Sequence, residues 1–269
     1  MQGIVSCLVL GEYGQTASVW LDFALGSLGN DVKKLVEQTH RRFIKTHLPL
    51  DGLPFYDHVR YIVVSRNPRD VFMSLWNHYN GYTTFAYEEI NNRPGRVGPP
   101  QPVCPSDIRE FWKMWITRGW FEWEDEGYPF WSTMRHVQTW WDHRHRSNIL
   151  FVHYNHLKED IAGQIRRIAD YLGIEASEDL IDLAVRSTTI DAMRDSALED
   201  QKEREAVAEI FKDGAHSFYY KGTNNRWKDV LTADDLALYE AAAERNLSKS
   251  CRAWLEEGEG EEAKASQRG

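Results

Sequence analysis

The residues with the most chemical potential gather around one stretch, Tyr61 to Tyr79, which reads YIVVSRNPRDVFMSLWNHY. Arg66 directly follows the short run Tyr61-Ile62-Val63-Val64-Ser65, and Ser74 comes two helical turns later. A guanidinium, a hydroxyl and the free amides of a helix start together make an anion site. Upstream stands Phe43-Ile44-Lys45-Thr46-His47-Leu48-Pro49, which places a cation beside a group that exchanges protons near neutral pH. Downstream stand Tyr154-Asn155-His156-Leu157-Lys158-Glu159-Asp160 and Tyr220-Lys221-Gly222-Thr223-Asn224-Asn225-Arg226-Trp227-Lys228.

The elements that must position these groups follow from local pattern. Tyr61 to Val64 is apolar, β-branched and too short for a helix, so it reads as a buried strand of a parallel sheet. Asn67 suits an N-cap, Pro68 the first helical position, and Asp70 the first turn of a helix. Val71, Phe72, Leu75, Trp76 and Tyr79 then recur at helical spacing. Arg66 is thereby set at the carboxyl end of a strand, where open α/β sheets bind ligands. Arg42 to Thr46 reads as a second short strand, and Asn148 to His153 as another buried one. Met1 to Leu10 carries Ile4, Val5, Leu8 and Val9 as a helix stripe, although IVSCLVL also tolerates a strand. Ser106 and Thr232 are expected to cap helices, and the segment from Ser132 reads as helical. Asn155 to Leu172 is expected to form one amphipathic helix ended by Gly173. Asn91 to Pro105 holds five of the nine prolines and reads as a loop.

Composition sets limits. The chain has 269 residues, 42% of them hydrophobic, enough for one large α/β domain. Its formal net charge of −9 argues against a general nucleic-acid or membrane-surface binder. Any anionic ligand needs a local positive pocket. Cys7, Cys104 and Cys251 are too widely spaced for a disulfide framework or a zinc site. No run approaches a membrane span, which rules against stable membrane insertion and leaves the cytoplasm as the expected compartment. The 11 Trp read as core plus an aromatic acceptor pocket, to which Phe85, Trp112, Trp120, Phe130 and Trp131 are candidates.

The four segments, in this order, resemble the sulfotransferases that use 3′-phosphoadenosine-5′-phosphosulfate (PAPS). The similarity covers roughly Met1 to Glu240, and SRNPRDVFMS and FIKTHLPL carry it most specifically. It implies a three-layer fold with a mostly parallel central sheet flanked by helices, related to P-loop nucleotide kinases. It also implies transfer of a sulfonyl group from PAPS, without a metal, to a hydroxyl of a small-molecule or lipid acceptor. His47 takes the role of general base, because an alcohol is a poor nucleophile until its proton is removed. Lys45 neutralises charge on the group in transit. Arg66, Ser74 and Lys221 hold the 3′-phosphate with Gly222 beside them, Tyr154 lies at the adenine, and Thr188 touches it. Gln201 to Lys212 reads as a lid. A homodimer is compatible with the resemblance.

The chain also departs from that pattern. Tyr220 stands where the family usually has Arg, and Asn225-Arg226-Trp227-Lys228 where Gly-Asp-Trp-Lys is common. Tyr supplies one hydrogen-bond donor and no charge. The PKSGTTW-like loop that wraps the 5′-phosphosulfate is not evident. In one register Gly14 to Trp20 is a diverged form of it. In the other, Ser18 to Asp22 matches a segment found after that loop in bacterial members, Met1 to Leu10 is the helix that follows the loop, and the chain begins just beyond it. The reading is a single domain over 1–255 and an acidic disordered tail over 256–269. Two alternatives remain at this stage: a related-fold ATP-dependent kinase, and a nucleotide-binding protein that transfers nothing.

Overall fold

The computed structural model describes residues 1–12, 19–22 and 28–259. Helices dominate: α1 (Gln2–Leu10), α2 (Leu28–Glu37), α3 (Pro68–Asn80), α4 (Thr84–Asn92), α5 (Ile108–Thr117), α6 (Thr133–Trp141) and α7 (Tyr154–Glu159). They continue with α8 (Ile161–Leu172), α9 (Glu178–Ser187), α10 (Ile190–Glu199), α11 (Gln201–Ile210), α12 (Ala215–Phe218), α13 (Ala233–Asn246) and α14 (Lys249–Glu257). The strands are β1 (Val19–Trp20), β2 (Ile44–Lys45), β3 (Tyr61–Ser65) and β4 (Ile149–His153). Among the described residues they form two parallel pairs, β1 with β2 and β3 with β4, in the register Tyr61 to Ile149 and Ser65 to His153.

Local chemistry accounts for the element ends. Asn67 caps α3 through its side-chain oxygen and Pro68 opens the helix, because proline fixes a helical φ where no N–H is needed. Thr232 and Asp235 make a reciprocal capping box on α13. Met1 to Leu10 takes its helical alternative, with Ile4, Val5, Cys7 and Leu8 buried.

Several expected boundaries move, and the helix cap expected at Ser106 falls to Asp107, whose side chain accepts the Arg109 N–H at 2.8 Å. The single helix expected over Asn155 to Leu172 is two, α7 and α8, because the Asp160 carboxylate caps α8 by accepting the Gly163 N–H at 2.8 Å. The strand expected over Arg42 to Thr46 narrows to Ile44–Lys45, the stretch that pairs with β1. Residues 256 and 257, expected in a tail, are helical. Glu256 and Glu257 lie in α14, and Glu256 accepts from Arg252 Nε at 2.7 Å and Tyr239 Oη at 2.9 Å. A charged sequence stays helical there because its carboxylates have basic and phenolic partners. Residues 260–269 lie outside the described residues.

Two large apolar clusters fix the frame. One is aromatic: Phe72, Tyr79, Phe111, Trp112, Trp115 and Trp254 lie at its centre, packing α3 against α5, α13 and α14. The other is aliphatic, joining α1 to α8, α9 and β4 through Ile4, Leu8, Val152, Ile165, Ile168 and Ile181. Burying a side chain of this size stabilises a fold by about 1.5–3 kcal/mol. The site is built by residues in and just after β1, β2, β3 and β4 together with the 217–226 segment.

Candidate functional site

Parallel pairing sets Trp20 opposite Lys45, so the residues two places on, Asp22 and His47, also meet. Asp22 Oδ2 accepts the His47 backbone N–H at 2.6 Å and Thr46 Oγ1 at 3.0 Å, while Oδ1 accepts from Trp20 Nε1. Oδ1 also stands 3.5 Å from His47 Nδ1. Burial pushes the Asp22 carboxyl up, but the bonds from His47 and Thr46 outweigh it and hold it below its ordinary value. Asp22 is therefore a fixed anion behind the imidazole.

The ring of His47 is clamped by aromatic neighbours. Trp131 stacks on it with centroids 4.1 Å apart at 12°, and Trp20 lies tilted at 4.7 Å. His136 Nδ1 donates to the His47 carbonyl at 2.9 Å. Burial, reinforced by His47, brings the His136 ring down to about 4, so it is neutral at physiological pH. Burial also lowers the pKa of His47, against the pull of Asp22. Among the described residues nothing hydrogen-bonds His47 Nε2, which leaves that nitrogen to accept an external proton. Lys45 Nζ sits 3.6 Å from the centroid of the Trp20 ring. Burial brings this ammonium down to about 8, with Asp22 acting in the opposite direction.

Trp131 is itself anchored. Glu126 is wholly buried and accepts from Ser132 Oγ, from Met134 N at 2.9 Å and from Thr133 N at 3.3 Å, at the start of α6. Burial raises its carboxyl to about 7.

The second half of the site forms where β3 ends. Arg66, Ser74, Tyr154, Lys221 and Gly222 line one cleft of about 260 Å³. Arg66 Nη2 donates to the Thr223 carbonyl at 2.8 Å and to Asn224 Oδ1 at 2.7 Å, and its guanidinium lies 4.4 Å from the centroid of the Tyr154 ring. Burial lowers the Arg66 pKa, and Asp70 and Tyr154 counter it. Tyr154 Oη donates to the Gly222 carbonyl at 2.9 Å. Gly222 has φ +59°, and a β-carbon there would run into Ile190 Cδ1. Asp70, in the first turn of α3, accepts the Asn225 N–H at 2.6 Å, and burial raises its pKa. Arg66, Lys221 and Arg226 thus face the cleft with one carboxylate, Asp70, among its lining residues. That excess of positive charge suits a phosphorylated nucleotide.

His78 joins the halves. It lines the cleft, and it lies near enough to Lys45 and His47 for their charges to add to burial, which brings its ring down to about 4.

Not every expected residue arrives. Thr188 caps the end of α9 and donates its hydroxyl back to the Ala184 carbonyl at 2.7 Å. Ile190 takes the place on the cleft wall instead. Among the aromatic candidates, Trp112 is wholly buried and donates Nε1 to the Asp235 carbonyl at 3.0 Å, so it belongs to the core. Trp120 stacks on Tyr128 and Phe130 packs against Tyr79, while Phe85 is exposed. Of the five, Trp131 is the one stacked on His47. Gln201 to Lys212 becomes α11 and the turn after it, joined to the body by a bridge between Tyr82 and Phe211. The diverged-loop alternative at Gly14 to Trp20 falls largely on residues 13–18, outside the described residues.

Asp22, Trp20, His78 and Arg226 were missed as site residues. For Asp22 a signal existed, since its offset from Trp20 equals that of His47 from Lys45. It becomes readable only once the two strands are taken as parallel partners.

Comparison with known proteins places these residues in context. A sequence profile described as a sulfotransferase domain matches residues 9–251. A glycolipid sulfotransferase of Mycobacterium bovis (strain BCG / Pasteur 1173P2) is 30% identical over 267 residues, covering 90% of this chain and 78% of its own. Sulfotransferase 1A1 of Rattus norvegicus is 25% identical over 225 residues, 82% of this chain and 68% of its own. Among solved structures, retinol dehydratase in complex with androsterone and the inactive cofactor PAP superposes with a TM-score of 0.61 at 26% identity. That match covers 83% of this chain, which spans 58% of the retinol dehydratase chain. Mouse sulfotransferase SULT7A1 complexed with PAP has a TM-score of 0.61 at 20% identity, covering 86% and 74% of the two chains, a likeness of fold.

Proposed function

The chain belongs to the sulfotransferase family, and from that premise we propose that it transfers a sulfonyl group from PAPS to a hydroxyl of a lipid or small-molecule acceptor. The observation that carries this reading is the junction at His78. A base and a buried cation, His47 and Lys45, lie beside a positive nucleotide-sized cleft lined by Arg66, Ser74 and Lys221. The relatives agree in chemistry: one is named for a glycolipid acceptor, and one solved neighbour holds PAP with a steroid.

When bound, PAPS supplies an activated sulfonyl group and a phosphate leaving group. Arg66, Ser74 and Lys221 bind its 3′-phosphate, and Tyr154, propped by Arg66 and Gly222, bounds the nucleoside. His47 Nε2 accepts the proton of the acceptor hydroxyl. The carboxylate of Asp22 steadies the imidazolium that results, since a charge fixed in advance costs no reorganisation during reaction. Lys45 meets negative charge developing near its ammonium. Trp131 and Trp20 hold the imidazole plane and keep water from its faces.

No described helix is long and apolar enough to cross a membrane. We take the compartment to be the cytoplasm, which agrees with three unpaired cysteines.

The test is transfer from labelled PAPS to a simple phenol and to a lipid alcohol, with calorimetry of adenosine 3′,5′-bisphosphate and AMP. We expect labelled ester, tighter binding of the bisphosphate, and loss of most of that preference in Arg66→Ala. Equal affinity for the two nucleotides would overturn the reading.

A further inference from the structure

Arg226 is a cation of the cleft wall whose charge no carboxylate answers among the described residues. It opens a short 3-10 turn, Arg226–Asp229, directly after Asn225. Asn225 has φ +67° and is the one non-glycine residue with positive φ among the described residues. Asparagine is among the few non-glycine residues that enter this region readily. The buried Asp70 carboxylate fixes the turn by accepting the Asn225 N–H at 2.6 Å.

This turn brings Arg226 to the wall that Arg66, Ser74 and Lys221 share. Once there, Arg226 has little protein to bind. Its Nη2 reaches Asn77 Oδ1 only at 3.5 Å, and its guanidinium lies 5.1 Å from the centroid of the Tyr220 ring. It has no ion pair. Arg66, by contrast, is committed to Asn224 and Thr223 through Nε and Nη2. The two guanidiniums are near enough for Arg226 to add to the lowering of the Arg66 pKa that burial begins. Like charges converging on one cleft are destabilising unless an anion lies between them.

We propose that Arg226 supplies the second guanidinium for the 3′-phosphate, opposite Arg66, with the Tyr220 ring as its platform. The cation that residue 220 lacks is delivered from the other side of the Gly222 turn. The ligand class is an adenine nucleotide with a phosphomonoester on its ribose 3′-oxygen. This inference rests on the donor site proposed above.

The experiment is titration calorimetry of the full chain with adenosine 3′,5′-bisphosphate and with AMP. For Arg226→Ala the bisphosphate dissociation constant should rise by about 10–100-fold, the range of one charge-assisted bond. AMP affinity should change by less than about threefold, since AMP lacks the group addressed. Arg226→Gln keeps the side-chain length and should show the same loss, and it replaces the alanine variant if that variant fails to fold. Adding Tyr220→Arg to Arg226→Ala should restore most of the affinity, because the missing quantity is charge at this wall. Equal weakening of both nucleotides would make Arg226 a structural prop and overturn the proposal, as would an unchanged bisphosphate preference. A wild-type chain that binds both nucleotides alike would instead overturn the donor site itself, and the proposal with it.

Discussion

Replacing Asp22 by Asn tests the arrangement around His47 most directly. The variant keeps the shape and one acceptor for the His47 backbone N–H, which Asp22 Oδ2 now accepts at 2.6 Å. What it removes is a negative charge 3.5 Å from Nδ1. Two unit charges at that distance interact by about 5 kcal/mol at an effective dielectric of 20, and about 1 kcal/mol in bulk water. The Asp22 carboxylate is mostly buried, but the imidazole is about one third exposed. An intermediate value of roughly 2–3 kcal/mol follows, and a loss of that size in the transition state lowers kcat by about 30–150-fold. Asp22 also raises the pKa of both His47 and Lys45. The kcat/KM profile of the parent should fall at alkaline pH as Lys45, at about 8, loses its proton. It should hold to below the ordinary histidine range on the acid side, since His47 must be neutral to act. In Asp22→Asn both limbs move to lower pH. The assay is labelled transfer over pH 5 to 9, with bisphosphate affinity measured alongside. Parent-like kcat, or an alkaline limb that does not move, would refute the role given to Asp22.

His47→Ala should lower kcat by about 10²–10⁴-fold and leave bisphosphate affinity nearly unchanged; parent-like turnover would make His47 structural. Gly222→Ala forces a side chain into φ +59° against Ile190 and Tyr154. At about 1–3 kcal/mol of strain, bisphosphate affinity should drop by roughly tenfold, which calorimetry would show. Glu126 titrates at about 7 in the fold against an ordinary 4.5. Its contribution to stability is complete below 4.5 and lost as pH rises through 7, a change of about 3 kcal/mol. Thermal melts of the parent should therefore fall across that window, and those of Glu126→Gln should fall less.

Much of the fold was legible because local rules and tertiary packing agreed. The strand at Tyr61, the caps at Asn67 and Thr232, and the strand at Ile149 all answer to backbone chemistry within a few residues. The break at Asp160 was hidden because apolar spacing continues through it, and only the carboxylate's bond to Gly163 separates the helices. In the site, Arg66, Ser74, Tyr154, Lys221 and Gly222 meet in one cleft. Thr188 does not, because a hydroxyl at a helix end finds the carbonyl of its own last turn before it finds a ligand. Arg226 escaped notice for another reason. Its reach into the cleft depends on the backbone of Asn225, which spacing alone does not disclose.

The start of α3, next to Arg66, is fastened by residues made late in synthesis. Asn67 Nδ2 donates to the Glu256 carbonyl across 189 residues, at 3.1 Å, and Arg69 stacks between Trp227 and Tyr239 while pairing with Glu256 at 3.5 Å. On a ribosome adding about 5–20 residues per second, Arg66 and the start of α3 wait about 10–40 s for that partner. Strand β4 and helix α5 are made earlier and can cover β3 and the aromatic face of α3, but Asn67 and Arg69 stay without Glu256 until the end. The fastening of the helix start beside Arg66 is thus a late product of biosynthesis.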